Sequence, residues 1–219
     1  MDKSNIIHEI GAIRILPVVR TADVEDARDI VAAVARAGCR LVEITLTIPG
    51  AVDLIREMAD SEPHALVGAG TVSTVDQAKA CIDAGAQFIV SPWIDTRVIE
   101  FCNHQGVAVI PGALTPTEIR NARHLGADIV KVFPIDAMGG SSYIRSLSSV
   151  MPEIPLIPTG GVTVTNAADF LRAGAFAVGI GSDLVRIDQL RNGGEASAVS
   201  RLSELLGCAG SPNTTDRIR

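Results

Sequence analysis

The stretch Gly126-Ala-Asp-Ile-Val-Lys-Val-Phe-Pro134 has the composition of a strand covered on both faces: Ile129, Val130, Val132 and Phe133 are apolar and mostly β-branched or aromatic. Lys131 sits in the middle of it. Removing an ammonium from water costs several kcal/mol unless it is paired or neutralised, so lysine is among the residues least often fully buried. Either Lys131 lies at an edge with its head in water, or the fold holds it inside for its chemistry. A second charge occurs in similar company. In Leu41-Val-Glu-Ile-Thr-Leu46, strand alternation puts Leu41, Glu43 and Thr45 on one face and aliphatic residues on the other. An amine kept neutral by its surroundings can attack a carbonyl carbon as a Schiff-base nucleophile, and a nearby carboxylate can move protons, directly or through water. A structural ion pair is the competing reading. Replacing a buried pair by apolar residues is often neutral or stabilising, so stability alone explains such a pair poorly.

The elements that would position these residues are visible in one recurring phrase. Ala37-Gly38, Ala84-Gly85, Gln105-Gly106, Leu125-Gly126 and Ala173-Gly174 each close an amphipathic segment and precede a short apolar run. The physical reading is a helix with a C′ glycine, a brief loop, then a buried strand. The glycines lie 47, 21, 20 and 48 residues apart, and each long gap has room for one more unit. Ala65-Leu-Val-Gly-Ala69 and Pro155-Leu-Ile-Pro-Thr159 supply those strands, and Ile15-Leu-Pro-Val-Val19 leads the series, which makes eight. Thr21 offers an N-cap, with Asp23, Glu25 and Asp26 in the first turn where the helix dipole favours acids. Val24, Ala27, Val31, Val34 and Ala37 then form one apolar face.

Eight strand–helix units of about 20–25 residues predict an α/β fold, a small (β/α)8 TIM barrel. A doubly wound open sheet shares the alternation. The even count and the absence of any G-x-G-x-x-G fingerprint favour the barrel. Ser4 to Ala12 reads as an extra N-terminal helix over the barrel's bottom. Asn192-Gly-Gly194 precedes a last helix carrying Ala198, Val199, Leu202 and Leu206. Residues 1–206 then form a single barrel domain, and 207–219 a flexible tail, polar and without periodicity from Ala209 onward.

In such a barrel alternate strand residues point inward, and working groups cluster at the strands' C-terminal ends. Burying Val42, Ile44 and Leu46 against helices turns Glu43 inward, and the same parity turns Lys131 inward. Thr159-Gly160-Gly161 after strand seven and Gly181-Ser182 after strand eight read as glycine turns that open helices. Barrel phosphate sites commonly lie there, because bare backbone N–H groups can approach the oxygens. The alternative is that these glycines merely make tight turns. Gly68-Ala-Gly70 also reads as a turn, with a weaker phosphate claim.

Composition narrows the classes further. The net charge of −6, with no basic stripe, argues against nucleic acid as a partner. Only seven residues are aromatic (five Phe, Tyr143 and Trp93), so the core must be aliphatic. Cys39, Cys81, Cys102 and Cys208 are widely separated, which fits free thiols in a reducing cytoplasm. No apolar run approaches the ~20 residues needed to span a membrane, and the N-terminus lacks signal-peptide features, so a soluble cytoplasmic protein is expected. His8, His64, His104 and His124 fall away from strand ends, and no cluster has metal-site spacing. Ser91, Ser141 and Ser142 lack a G-x-S-x-G setting.

Val42-Glu-Ile-Thr-Leu46, Val67-Gly-Ala-Gly-Thr71, Ile89-Val-Ser-Pro92, Ile110-Pro-Gly112, Val130-Lys-Val-Phe-Pro134, Pro158-Thr-Gly-Gly161 and Gly179-Ile-Gly-Ser-Asp-Leu184 together resemble the 2-keto-3-deoxy-6-phosphogluconate (KDPG) / 4-hydroxy-2-oxoglutarate (KHG) aldolase family. The match runs in order from about Ile13 to Arg186. The resemblance implies a class I, metal-free aldolase without a cofactor, usually a homotrimer. It would cleave a 2-keto-4-hydroxy acid to pyruvate and an aldehyde such as glyceraldehyde 3-phosphate or glyoxylate. Carried over motif by motif, Lys131 would form the Schiff base and Glu43 would be the general acid/base. Thr71 would contact the keto acid, and Pro92 and Phe133 would shape the apolar wall around the imine. The chain departs from the family at Thr47, where gluconate-type members often place an arginine that grips the carboxylate. Arg20, at the end of strand one, is where other branches, including galactonate-type enzymes, place one, and it becomes the expected carboxylate clamp. Two other functions remain open: a sugar-phosphate isomerase or epimerase with Glu43 as base, and a non-catalytic metabolite-binding barrel.

Overall fold

The computed structural model describes residues 1–209. Eight parallel strands alternate with helices: β1 (Ile15–Val19), β2 (Leu41–Thr45), β3 (Leu66–Gly70), β4 (Phe88–Ser91), β5 (Ala108–Ala113), β6 (Val130–Val132), β7 (Leu156–Pro158) and β8 (Val178–Ile180). Neighbours in sequence are neighbours in the sheet, and β8 returns to pair with β1. The last seam, between β7 and β8, is thin. It consists of a single bridge between Thr159 and Gly179 and a hydrogen bond from Phe176 N to Leu156 O at 2.9 Å. The (β/α)8 barrel expected from the repeats is the fold.

The five helix-closing glycines, Gly38, Gly85, Gly106, Gly126 and Gly174, all take left-handed φ between 67° and 105°. That conformation ends a helix at little cost only without a Cβ. The helices α2 (Val24–Arg36), α3 (Ala51–Ser61), α4 (Val75–Asp83), α5 (Thr96–His104) and α6 (Pro116–His124) bury the faces their periodicity marks. In α6 Pro116 occupies the first turn, and Thr115 with Glu118 forms a full capping box. The cap of α2 is Asp23, not Thr21. A carboxylate directly before the helix accepts from Glu25 N at 2.7 Å and Asp26 N at 3.3 Å, while Thr21 Oγ1 donates to Asp23 O. The extra helix α1 (Lys3–Ile13) buries Ile6 and Ile10 beneath the barrel, where Lys3 pairs with Asp128 at 2.9 Å.

The helix between β6 and β7 is α7 (Ser141–Val150), with Ile144 and Leu147 buried. Beyond it the pattern thins, since α8 (Ala167–Arg172) and α9 (Ile187–Arg191) are short. The closing helix α10 (Glu195–Ala209) runs three residues past Leu206. Gly207, Cys208 and Ala209 therefore belong to the helix rather than to a tail, because a buried Ala209 continues the stripe of Ala198, Leu202 and Leu205. The rest of the expected tail lies outside the described residues. Among the described residues no helix is long and apolar enough to cross a membrane. The cysteine thiols are free. Burial pushes Cys39 and Cys81 up to about 11 and Cys102 up to about 12, so these thiols stay protonated and inert at neutral pH.

Candidate active site

Strand parity places both charges inside. Val42 and Ile44 pack with Val31, Leu54 and Ile55 of the surrounding helices. Leu41 packs instead with the interior group that includes Leu66, Phe88, Val90 and Ile110. Glu43 follows Leu41 inward and Lys131 enters from across the barrel. They are 1% and 6% exposed, and Lys131 Nζ stands 3.7 Å from Glu43 Oε1. That separation exceeds a hydrogen bond while keeping the charges in direct attraction. Among the described residues neither Glu43 oxygen has a hydrogen-bond partner. An orphaned buried carboxylate is costly, and such groups persist where a function needs them. The Lys131 ammonium also lies 5.3 Å from the centre of the Phe133 ring, within cation–π range.

Glycines make the room. Gly68, already inside the expected strand, and Gly70, expected in a turn, both lie within β3, where they leave two inward-facing positions without a side chain while Ala69 between them packs outward. A Cβ on Gly68 would overlap the Phe88 ring, and one on Gly70 would overlap Glu43 Oε1. Gly112 of β5 is the register partner of Lys131, and a Cβ there would overlap the Pro92 carbonyl. Gly70→Ala is therefore expected to push the Glu43 carboxylate off its position. Catalysis should fall about 10–100-fold, with overpacking costing about 1–3 kcal/mol. Steady-state rates and thermal melts check this, and a wild-type kcat would refute it.

At the mouth, Arg20 follows β1 and Thr71 follows β3, and Arg20 Nη2 donates to Thr71 Oγ1 at 3.4 Å. Thr71 holds φ at 60°, a left-handed conformation that a β-branched residue adopts only under constraint. Buried Thr45, inward-facing like Glu43, donates to Val19 O at 2.9 Å and shares a 2.8 Å hydrogen bond with the exposed Thr47 hydroxyl. Thr47 thus braces the end of β1 beside Arg20. The alternation had put Thr45 inside, yet nothing in the sequence gave it this role.

The Thr159-Gly160-Gly161 and Gly181-Ser182 turns face each other across the thin seam, but neither opens a helix directly. α8 begins at Ala167 and α9 only at Ile187, because irregular segments intervene. Among the described residues no helix N-terminus therefore points its dipole directly into these turns. What remains is backbone: Gly160 and Gly161 hold φ at 83° and 89°, and no acceptor for the N–H of Gly161, Gly181 or Ser182 is found among the described residues. Next to them Arg20, Gly181, Ser182 and Arg186 line a cleft of about 370 Å³ between β1, α2 and the segment after β8. Pro92 is half-buried after β4, and Phe133 after β6 stands against Gly160. All four histidines lie on helices or in the loop before β3, away from this end. Among the described residues no group of three or more His, Cys, Asp or Glu side chains could hold a metal ion.

Residues 6–202 match the family model for KDPG and KHG aldolase. The chain is 34% identical to 2-dehydro-3-deoxy-phosphogluconate aldolase of Treponema pallidum, covering 91% of this chain and 94% of that one. It is 38% identical to 2-dehydro-3-deoxy-6-phosphogalactonate aldolase of Escherichia coli, covering 80% and 86%. Among solved structures, KDPG aldolase from Legionella pneumophila, with pyruvate captured at low pH as a covalent carbinolamine intermediate, superposes with a TM-score of 0.80 at 28% identity, covering 94% and 98%.

Proposed function

The chain belongs to the KDPG and KHG aldolase family and is a carbon–carbon lyase, and from that premise we propose that Lys131 is its Schiff-base nucleophile and Glu43 its general acid/base. The observation that carries the reading is the Lys131–Glu43 pair, 3.7 Å apart in a closed interior with both carboxylate oxygens unpartnered among the described residues. Lys131 Nζ, having passed a proton to Glu43, adds to the C2 carbonyl of a 2-keto-4-hydroxy acid. Glu43 returns that proton to the carbinolamine hydroxyl, which leaves as water to give a protonated imine and a Glu43 carboxylate. Glu43, directly or through water, takes the proton from the C4 hydroxyl. The C3–C4 electron pair flows into the imine and the aldehyde leaves. Glu43 returns the proton to C3 of the enamine, and water hydrolyses the imine to pyruvate and free Lys131. Phe133 and Pro92 wall the imine from solvent.

The substrate end of the proposal rests on the mouth. Arg20, joined to Thr71 and backed by the Thr45–Thr47 pair, takes the carboxylate in place of the arginine absent at Thr47. The turns at Thr159-Gly160-Gly161 and Gly181-Ser182 cradle the phosphate of a 2-keto-3-deoxy-6-phospho sugar acid of gluconate or galactonate type, giving glyceraldehyde 3-phosphate. Unphosphorylated 4-hydroxy-2-oxoglutarate, giving glyoxylate, uses the same lysine without the cradle. Arg20→Gln is expected to raise KM for all these acids about 10–100-fold, the worth of one charge-assisted clamp, with kcat nearly unchanged. An unchanged KM would remove Arg20 from the role. The assembly is proposed to be a homotrimer, and a solution mass near the 22.9 kDa of one chain would discard it.

Incubation with pyruvate and borohydride, followed by peptide mass mapping, tests the whole. A reduced pyruvate adduct on Lys131 is the expected result, and the absence of an adduct anywhere overturns the Schiff-base mechanism. Equal KM for phosphorylated and unphosphorylated acids would discredit the cradle.

A further inference from the structure

The barrel is weakest where its phosphate chemistry is proposed. β7 and β8 have three residues each and meet in one bridge, Thr159 with Gly179. Their C-terminal turns carry the two halves of the cradle, so the width of that seam sets the spacing between the Gly160–Gly161 and Gly181–Ser182 N–H groups. Toward β8 no ladder bond continues past Thr159 among the described residues. The first turn is tied on its other side, by Ile135 N to Thr159 O at 3.0 Å and Asp136 N to Gly160 O at 3.1 Å, and neither turn directly enters a helix. One side chain crosses the gap above the bridge: Asp183 Oδ2 accepts a hydrogen bond from Val164 N at 2.8 Å. Carboxylate–amide bonds of this kind are shorter and stronger than neutral ones.

The far side of the gap is itself stiffened. Asn166 Oδ1 accepts from Thr163 N at 2.8 Å, Asn166 Nδ2 donates to Gly161 O at 3.0 Å, and Asn166 N donates to Thr163 Oγ1 at 3.2 Å. A pull on Val164 is thereby passed to Gly161 through a short braced loop. Asp136, whose Cβ stands 2.5 Å from where a Gly161 Cβ would be, closes the other side. Asp183 also carries a negative charge into the neighbourhood of a proposed phosphate. Electrostatics alone would disfavour an acid there, which gives the opposite sign to the positioning role and makes the two separable.

We propose that Asp183 is a positioning residue for phosphorylated substrates, acting as a clasp across the β7–β8 seam that holds the two glycine turns at phosphate-binding distance. The proposal rests on the cradle reading above. Asp183 touches neither Lys131 nor the bond that breaks, so it acts on KM and only where the substrate has a phosphate. An amide at this position keeps an oxygen that can accept from Val164 N, whereas alanine keeps none.

The experiment compares steady-state kinetics of wild type, Asp183→Ala and Asp183→Asn on 2-keto-3-deoxy-6-phosphogluconate and its galactonate isomer, and on 4-hydroxy-2-oxoglutarate. Circular dichroism and melting confirm that each variant is folded. For Asp183→Ala the expected result is a KM at least about tenfold higher for the better phosphorylated acid, kcat within about threefold, and unphosphorylated KM within about twofold. Asp183→Asn should restore most of the loss. A fall in KM for Asp183→Ala would mean that charge repulsion governs and overturns the clasp. An unchanged KM, or an equal rise for both substrate kinds, also overturns it while leaving the cradle standing. A wild type that binds both kinds of acid equally well overturns the cradle, and the clasp with it. Should Asp183→Ala fail to fold, Asp183→Asn and Asp183→Ser carry the comparison. A KM that does not follow the variant's ability to accept from Val164 N, read by amide hydrogen exchange at that residue, refutes the proposal.

Discussion

Lys131→Met should abolish cleavage, lowering kcat/KM by on the order of 10⁴-fold or more, and should leave no borohydride-trapped pyruvate adduct. Methionine suits the test because it is unbranched, of similar length and apolar, so it fills the lysine's channel without a cavity. The electrostatic consequence runs through Glu43. With Lys131 gone, a carboxylate that is 1% exposed and unpartnered among the described residues loses its one nearby cation. Breaking a buried pair in this way costs about 3–5 kcal/mol unless the acid takes up a proton. The variant should therefore melt earlier than wild type, and Lys131→Met combined with Glu43→Gln should regain most of that stability while remaining inactive. Lys131→Arg separates the competing readings. It preserves the charge and the pair but cannot form an imine, so a nucleophilic lysine predicts an inactive protein. An electrostatic stabiliser in an isomerase predicts substantial retained activity on a sugar phosphate. Keto-acid cleavage by any Lys131 variant at even a tenth of the wild-type rate would eliminate the nucleophile.

The parts of this molecule that were legible in its sequence are those set by local rules. Five glycines that stop helices with left-handed φ recur at intervals which count out the barrel. Period-two alternation in Leu41-Val-Glu-Ile-Thr is enough to send Glu43 inward once the aliphatic face is assigned to the helices. What was not legible depends on contacts between distant elements. Gly70 looks like a turn residue, yet it lies inside β3, where the space a Cβ would need is taken by Glu43. No neighbour in sequence reveals that. Thr21 and Asp23 are both acceptable caps, and two residues of register decide between them. The glycine turns after β7 and β8 resemble helix starts by composition, but irregular segments follow, so an N-terminal dipole is not what would hold an anion there. Asp183 lies 19 residues from its partner Val164, and no periodicity links them.

The second large effect belongs to Glu43. Glu43→Gln is expected to lower kcat about 10²–10⁴-fold, the usual worth of a positioned acid/base, while leaving Lys131 able to form a trappable adduct with pyruvate. The amide has the volume of the carboxylate, so it still fits against Gly70, where no Cβ intrudes. It cannot take the C4-hydroxyl proton, nor return one to C3 of the enamine. Both half-reactions should therefore slow together, and exchange of pyruvate methyl protons with deuterated solvent, which needs only the C3 step, should slow by a similar factor. Stability falls as well. The amide leaves the Lys131 ammonium, 6% exposed, without the carboxylate that stood 3.7 Å away, and breaking one side of a buried pair costs about 3–5 kcal/mol. The melting temperature is then expected to drop while activity collapses, with the double replacement of Lys131 and Glu43 recovering most of the loss. Should Glu43→Gln cleave and exchange at wild-type rates, the proton must move through another group or water, and Glu43 would be reduced to the partner that keeps Lys131 in place.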